Sequence, residues 1–173
     1  NDNREVNFSK EISIVRPPVM LVHGIGGSSQ MWKNFPILND PRFQIVKAVD
    51  IEKNASFATN ANILFNDGTK VKAKVNEVII EMRQKGYASN RLDYISYSMG
   101  GCVLRKGYDN SKFLRHYKNY DMGYINKFIS LDVPHSGSPL ADMLRQWFPK
   151  TNSDIGDVNI ALLLTHKIFP DFI

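Results

Sequence analysis

The stretch LDYISYSMGGC, residues 92–102, restricts the fold of this chain more than any other segment. Leu92 to Tyr97 reads as a strand and Gly100 to about Tyr108 as the helix after it, so Ser98 falls on a sharp strand-to-helix turn. A serine at such a turn is held in a strained backbone conformation. The residues two positions away on either side must be small so that strand and helix can approach, and Ser96 and Gly100 meet that demand. The turn projects the Ser98 hydroxyl above a sheet, while the backbone N–H of Met99, at the helix start, points to where an oxyanion would form. One segment thus encodes a nucleophile and half of an oxyanion hole. The competing reading is an ordinary Ser-Gly turn, because small residues are common in turns.

The rest of the chain alternates strand and helix signals. Val19 to Val22 follow Pro17-Pro18 and end at His23-Gly24-Ile25-Gly26-Gly27, a buried strand feeding a tight glycine-rich turn. Ser28 or Ser29 is expected to cap a helix that carries Met31, Trp32, Phe35 and Leu38 on one face until Asn39-Asp40-Pro41 stops it. Phe43 to Val49 reads as the next strand, ending at Asp50. Glu52 to Gly68 is polar, anchored only by Phe57, Ile63, Leu64 and Phe65, and reads as a long excursion with room for one helical turn. Val71, Val75, Val78, Ile79 and Met82 recur at amphipathic-helix spacing, with Gly86 as the stop. Tyr124 to Leu131 is a fourth strand. Such alternation predicts the α/β class, a mostly parallel sheet flanked by helices. The tail from Pro139 onward is apolar and expected to be helical.

Composition sets the outer limits. With 173 residues, 43% hydrophobic and 23% charged, the chain reads as one domain over residues 1–173, and disorder, collagen and coiled coil are excluded. The net charge of +5 is scattered rather than striped with aromatics, so nucleic acid is not an expected partner. Every apolar run falls short of the roughly 20 residues a membrane helix needs, and NDNREVNFSK is too polar for a signal peptide, so a soluble protein is expected. Cys102 alone cannot form an internal disulfide and reads as packing rather than as a second nucleophile.

Three motifs now point to one family. The turn around Ser98 resembles the Gly-x-Ser-x-Gly elbow of the α/β-hydrolase superfamily, with Ser96 in place of the first glycine. VMLVHGIGG, residues 19–27, resembles the His-Gly turn after the third strand of the same superfamily, whose next backbone N–H is the second oxyanion donor; by position that donor is Ile25. SLDVPHSGSPLAD, residues 130–142, is similar to the Thr-Pro-His-x-Gly-Ser stretch of bacterial lipases and of inositol deacylases that act on lipid anchors, with Val133 replacing Thr. The likeness runs from about residue 17 to 142. It implies a three-layer αβα sandwich and a serine hydrolase of the lipase or esterase type, cleaving a carboxylic ester, small-molecule or lipid, through an acyl-enzyme. No cofactor and no metal are expected, transient contact with a membrane or lipid surface is open, and the location stays unknown, with secreted or cell-envelope favoured over cytoplasmic. A serine at the elbow argues against the haloalkane dehalogenases, which use an aspartate. Thioesterase, acyltransferase and lipid-anchor deacylase share the elbow and stay open.

A serine nucleophile needs a histidine base oriented by a carboxylate, and the superfamily's chain order is serine, then acid, then histidine. The supply after Ser98 is short. His23 precedes the elbow and reads as structural, His116 lies in the charged stretch FLRHYKNY, and His135 falls in the lipase-like turn, where the resemblance implies a structural residue. His166, after the apolar run Ile160 to Leu164, is the remaining base candidate. Asp132, at the end of a strand, is the acid candidate, against the plainer reading of a turn-capping aspartate before Pro134. Asp109, Asp121, Asp142, Asp154 and Asp157 have no strand-end setting. This shortage suggests the N-terminal part of a catalytic domain, with acid and base encoded beyond Ile173 and residues 139–173 as lid or cap helices. Two rivals remain: a non-catalytic module that keeps the elbow, and a dinucleotide-binding oxidoreductase suggested by Gly24-Ile25-Gly26-Gly27-Ser28-Ser29 with Asp50 after the next strand.

Overall fold

The computed structural model describes residues 14–52, 55–65, 73–108 and 119–139. His116, His166, Val71, Asp109, Asp142, Asp154, Asp157 and the tail beyond Pro139 lie outside the described residues. Strands β1 (Val19–Val22), β2 (Val46–Val49), β3 (Leu92–Tyr97) and β4 (Ile125–Leu131) form one parallel sheet in the order β2-β1-β3-β4. Val19 pairs with Val46 on one side and with Asp93 on the other. An inner strand covered on both faces has to be apolar throughout, and β1, reading VMLV, is buried at every position.

Side chains alternate across the sheet and build two cores. Met20, Val22, Leu92 and Tyr94 face helices α1 (Phe57–Phe65), α2 (Lys74–Gln84) and α3 (Met99–Tyr108), meeting Leu64, Phe65, Val75, Val78, Ile79, Met82 and Val103. Val19, Leu21 and Ile95 face the opposite way, onto Trp32, Phe35, Ile37 and Leu38. The α/β architecture with a mostly parallel, helix-flanked sheet is therefore present. Helix α2 stops as its sequence predicts: Gly86 takes φ 87°, and the Gly86 and Tyr87 amides donate to the Arg83 and Met82 carbonyls at 2.9 and 3.3 Å. This is a Schellman closure, which satisfies carbonyls left over at the helix end.

Three elements differ from expectation. The helix expected from Ser28 to Asn39 is replaced by two 3-10 turns, Ser29–Trp32 and Pro36–Asn39. Pro36 is the cause: it offers no amide to the first turn and pushes Phe35 out of the helical region, to φ −72° and ψ 124°. Neither serine side chain caps the first turn. The excursion from Glu52 contains α1, a helix of 9 residues. Asn60 hides its apolar face from a reading by hydrophobicity, since this polar residue is fully buried beside Ala61, Leu64 and Phe65. Its side chain accepts the Glu52 N–H at 2.8 Å and donates to the Glu52 carbonyl at 3.0 Å, tying α1 to the end of β2. Finally, β2 begins at Val46 and not at Phe43, because residues 40–43 close a turn through the Phe43 N–H to the Asp40 carbonyl at 3.1 Å.

Candidate active site

In an open parallel sheet, ligands bind beyond the carboxyl ends of the strands, where the chain's crossovers change direction. Here the chain leaves β1 for β2 on one side and later returns to place β3 on the other, so that crevice lies between β1 and β3. The turns that end these two strands carry the residues singled out from sequence, and they touch. A Cβ added to Gly24 would lie 2.9 Å from Ser98 Cβ and 3.0 Å from Tyr97 Cδ1, so only glycine lets the two turns meet. A Cβ at Gly100 would lie 2.9 Å from the Val22 and His23 carbonyl oxygens, which packs the start of α3 directly against the end of β1.

Ser98 sits at φ 48°, in the left-handed region that costs an L-residue about 1–2 kcal/mol. The strain is held from both sides: the Ser98 N–H donates to the Leu131 carbonyl of β4 at 2.9 Å, and its carbonyl accepts the Gly101 N–H at 3.1 Å. Met99 is the first residue of α3, where helix N–H groups have no partner within the helix. The buried Tyr94 hydroxyl donates to the Gly100 carbonyl at 2.8 Å and pins that first turn to β3. Burial also raises the Tyr94 phenol well above its ordinary range, so it stays a donor.

The opposite turn is tied down with equal care. His23 is fully buried; its Nε2 accepts the Ile51 N–H at 3.2 Å, so the proton is on Nδ1, which donates to the Gly24 carbonyl at 2.7 Å. Both ring nitrogens are thereby spent on structure, as the sequence reading expected. Ile25 is exposed in the middle of the turn, which closes through the Gly27 N–H to the Gly24 carbonyl at 3.2 Å. At its far end the Asp50 carboxylate accepts the Ser29 N–H at 2.6 Å and the Ser29 hydroxyl at 2.9 Å. Sequence reasoning missed this role of Asp50. A dinucleotide site fits poorly here, because the glycine turn feeds a 3-10 turn of 4 residues where a pyrophosphate needs an α-helix N-terminus, and Asp50 is engaged by Ser29.

The remaining candidates border the elbow. Asp132 follows directly on Leu131, is exposed, and has φ 49°, so the ends of the neighbouring strands β3 and β4 are both strained. Val133 covers Gly101, where a Cβ would come within 2.5 Å of a valine methyl. His135 is exposed, with its ring edge-on to Phe128 at 6.0 Å and its carbonyl accepting from Arg105. Among the described residues no histidine is hydrogen-bonded to Ser98. A groove of about 440 Å³ lined by Arg91, Leu104, Tyr108, Ile125 and Phe128 shares no residue with the elbow and belongs to the far end of α3.

Ser96 occupies the small position before the elbow, fully buried, with no hydrogen-bond partner for its hydroxyl among the described residues. A buried hydroxyl without a hydrogen bond is a net cost. We therefore expect Ser96→Ala to raise unfolding stability by about 1 kcal/mol in urea titration; a loss of stability would show that this hydroxyl has a partner.

The sheet order, the strained turn after β3 and the glycine turn after β1 together define an α/β-hydrolase-like fold. Among solved structures the chain is similar to mature lipase BlEst2 of Bacillus licheniformis, with TM-score 0.54 and 20% identity over 92% of this chain and 62% of the lipase. It is also similar to the propeptide form of that lipase, with TM-score 0.49 and 26% identity over 74% of this chain and 24% of the other. The chain thus spans less than two thirds of either lipase chain. No protein-family model matches the chain, and no curated protein sequence does.

Proposed function

We propose that this chain carries the nucleophile and oxyanion amides of a serine hydrolase acting on carboxylic esters, of the lipase or esterase type. The observation that carries the reading is Ser98 at φ 48°, between the end of an inner parallel strand and a helix N-terminus, pressed against Gly24. Strain held in a non-glycine residue by its surroundings is a reason to look for chemistry, and here the strained residue carries a hydroxyl at a helix N-terminus. In this reading Ser98 Oγ attacks the ester carbonyl and passes its proton to a base. The Ile25 and Met99 amides hold the oxyanion, each contributing about 3 kcal/mol to the barrier. Collapse expels the alcohol, which takes the proton, and water then releases the acid from the acyl-enzyme. The base is not His23, whose nitrogens are both bonded. A fluorophosphonate probe, applied to the full-length protein, tests the proposal. Labelling of the wild type that is lost in Ser98→Ala is expected; an unlabelled wild type favours the non-catalytic module.

A further inference from the structure

The exposed carboxylate of Asp50 lies one residue beyond β2 and is neither the nucleophile nor an oxyanion donor, yet it ties down the far end of the oxyanion turn. We infer that Asp50 is a positioning residue for the oxyanion turn, acting on the Ile25 amide through Ser29. This rests on the serine-hydrolase reading above. The turn from His23 to Ser29 is a strap whose two ends are fastened to two adjacent residues, Ile51 and Asp50. At its start, His23 Nε2 accepts the Ile51 N–H at 3.2 Å. At its end, Asp50 Oδ1 accepts the Ser29 N–H at 2.6 Å and Oδ2 the Ser29 hydroxyl at 2.9 Å. Between these points the His23 Nδ1 bond and the packing against the Ser98 turn hold Gly24, so Ile25 and Gly26 bridge from Gly24 to the Ser29 anchor. Gly26 sits at φ 67°, Ile25 is exposed, and the Gly27 N–H to the Gly24 carbonyl, at 3.2 Å, is the closing bond of the turn.

The pairing of β1 with β2 explains why residues 50 and 51 are the anchor. Val22 is in register with Val49, so the residues just past each strand end are neighbours and the strap arches over them. A carboxylate receiving two hydrogen bonds, one of them from a backbone amide, fixes both the position and the direction of Ser29. An oxyanion donor contributes only when its N–H is aimed at the transition-state oxygen, so a loosened strap lowers the chemical step and spares substrate binding.

The test uses the full-length protein and a p-nitrophenyl ester. Asp50→Ala is expected to lower kcat about 10-fold or more with KM within about twofold of wild type. Asp50→Asn, whose Oδ1 still accepts the Ser29 N–H, is expected to fall between the two. Ser29→Ala removes the hydroxyl bond from the other side, and the double variant should be no slower than Asp50→Ala alone, as partners in one interaction require. Wild-type kcat in Asp50→Ala, or a loss confined to KM, overturns the inference; if that variant does not fold, Ser29→Ala takes its place under the same criterion. Amide hydrogen exchange reads the strap independently of catalysis, with Gly27 and Ser29 exchanging about 10-fold faster or more in Asp50→Ala. Unchanged exchange overturns the clamp whatever the serine does. Full hydrolysis in Ser98→Ala, by contrast, sinks the serine reading and leaves the clamp to be judged on exchange.

Discussion

Ser98→Ala is expected to lower ester hydrolysis by about 10⁴-fold or more, because a serine nucleophile and its base act as a unit and little remains when one is removed. The fold should survive, since the Ser98 side chain makes no hydrogen bond among the described residues and is only half-buried. Ser98→Gly sharpens the test. At φ 48° glycine pays no Cβ penalty, so this variant should be inactive and at the same time more stable by about 1 kcal/mol, a rise of several degrees in Tm. A substitution that gains stability and loses all activity is the mark of a residue kept for chemistry. Hydrolysis near the wild-type rate in either variant would reject Ser98 as the nucleophile.

Much of the local structure around Ser98 could be read in advance because its constraints are local. Strand β3, the turn at Ser98 and helix α3 follow one another within 17 residues, Leu92 to Tyr108, and each signal reinforces the next: an apolar strand, a small-x-Ser-x-small turn, an amphipathic helix. The His-Gly turn after β1 was legible for the same reason. Segments governed by one atypical residue were not. Pro36 divides what the positions of Met31, Trp32, Phe35 and Leu38 present as one helix, and Asn60 occupies a core position of α1 that a hydrophobicity pattern scores as surface.

Contacts that depend on strand pairing were the least visible. Asp50 and Ser29 are 21 residues apart, and nothing in their spacing announces that the β1–β2 register will bring them together. A strand-end acid after a glycine turn also suits a ribose hydroxyl, so sequence alone left that rival standing. The Tyr94 hydroxyl on Gly100 is another case: the sequence marks Tyr94 as a strand residue, while its second task, holding the first turn of α3, follows only from the fold.

The largest stability effect is expected at His23. Histidine can be read two ways in a site of this kind, as a base or as a structural brace, and the two predict opposite variants. A base removed as His→Ala costs activity and leaves stability nearly intact. A brace does the reverse first. His23 is fully buried, its ring bridges the Gly24 carbonyl and the Ile51 N–H, and it lies 3.7 Å from Asp50 Oδ1. His23→Ala opens a ring-sized cavity, leaves the buried Ile51 N–H without its acceptor and removes one of the two donors to the Gly24 carbonyl, which together should cost about 3 to 5 kcal/mol in urea or thermal unfolding. Asn and Gln divide the effect. The Asn amide reaches the Gly24 carbonyl but not Ile51, and the longer Gln side chain can accept from Ile51 while giving up the Gly24 bond, so each should recover part of the loss. Since the oxyanion turn starts at His23, activity should fall along with stability in all three, in the order Ala below Asn and Gln. A stable His23→Ala protein without activity would instead make His23 a participant in the reaction, and the hydrogen bonds at its two nitrogens would then have to break during turnover.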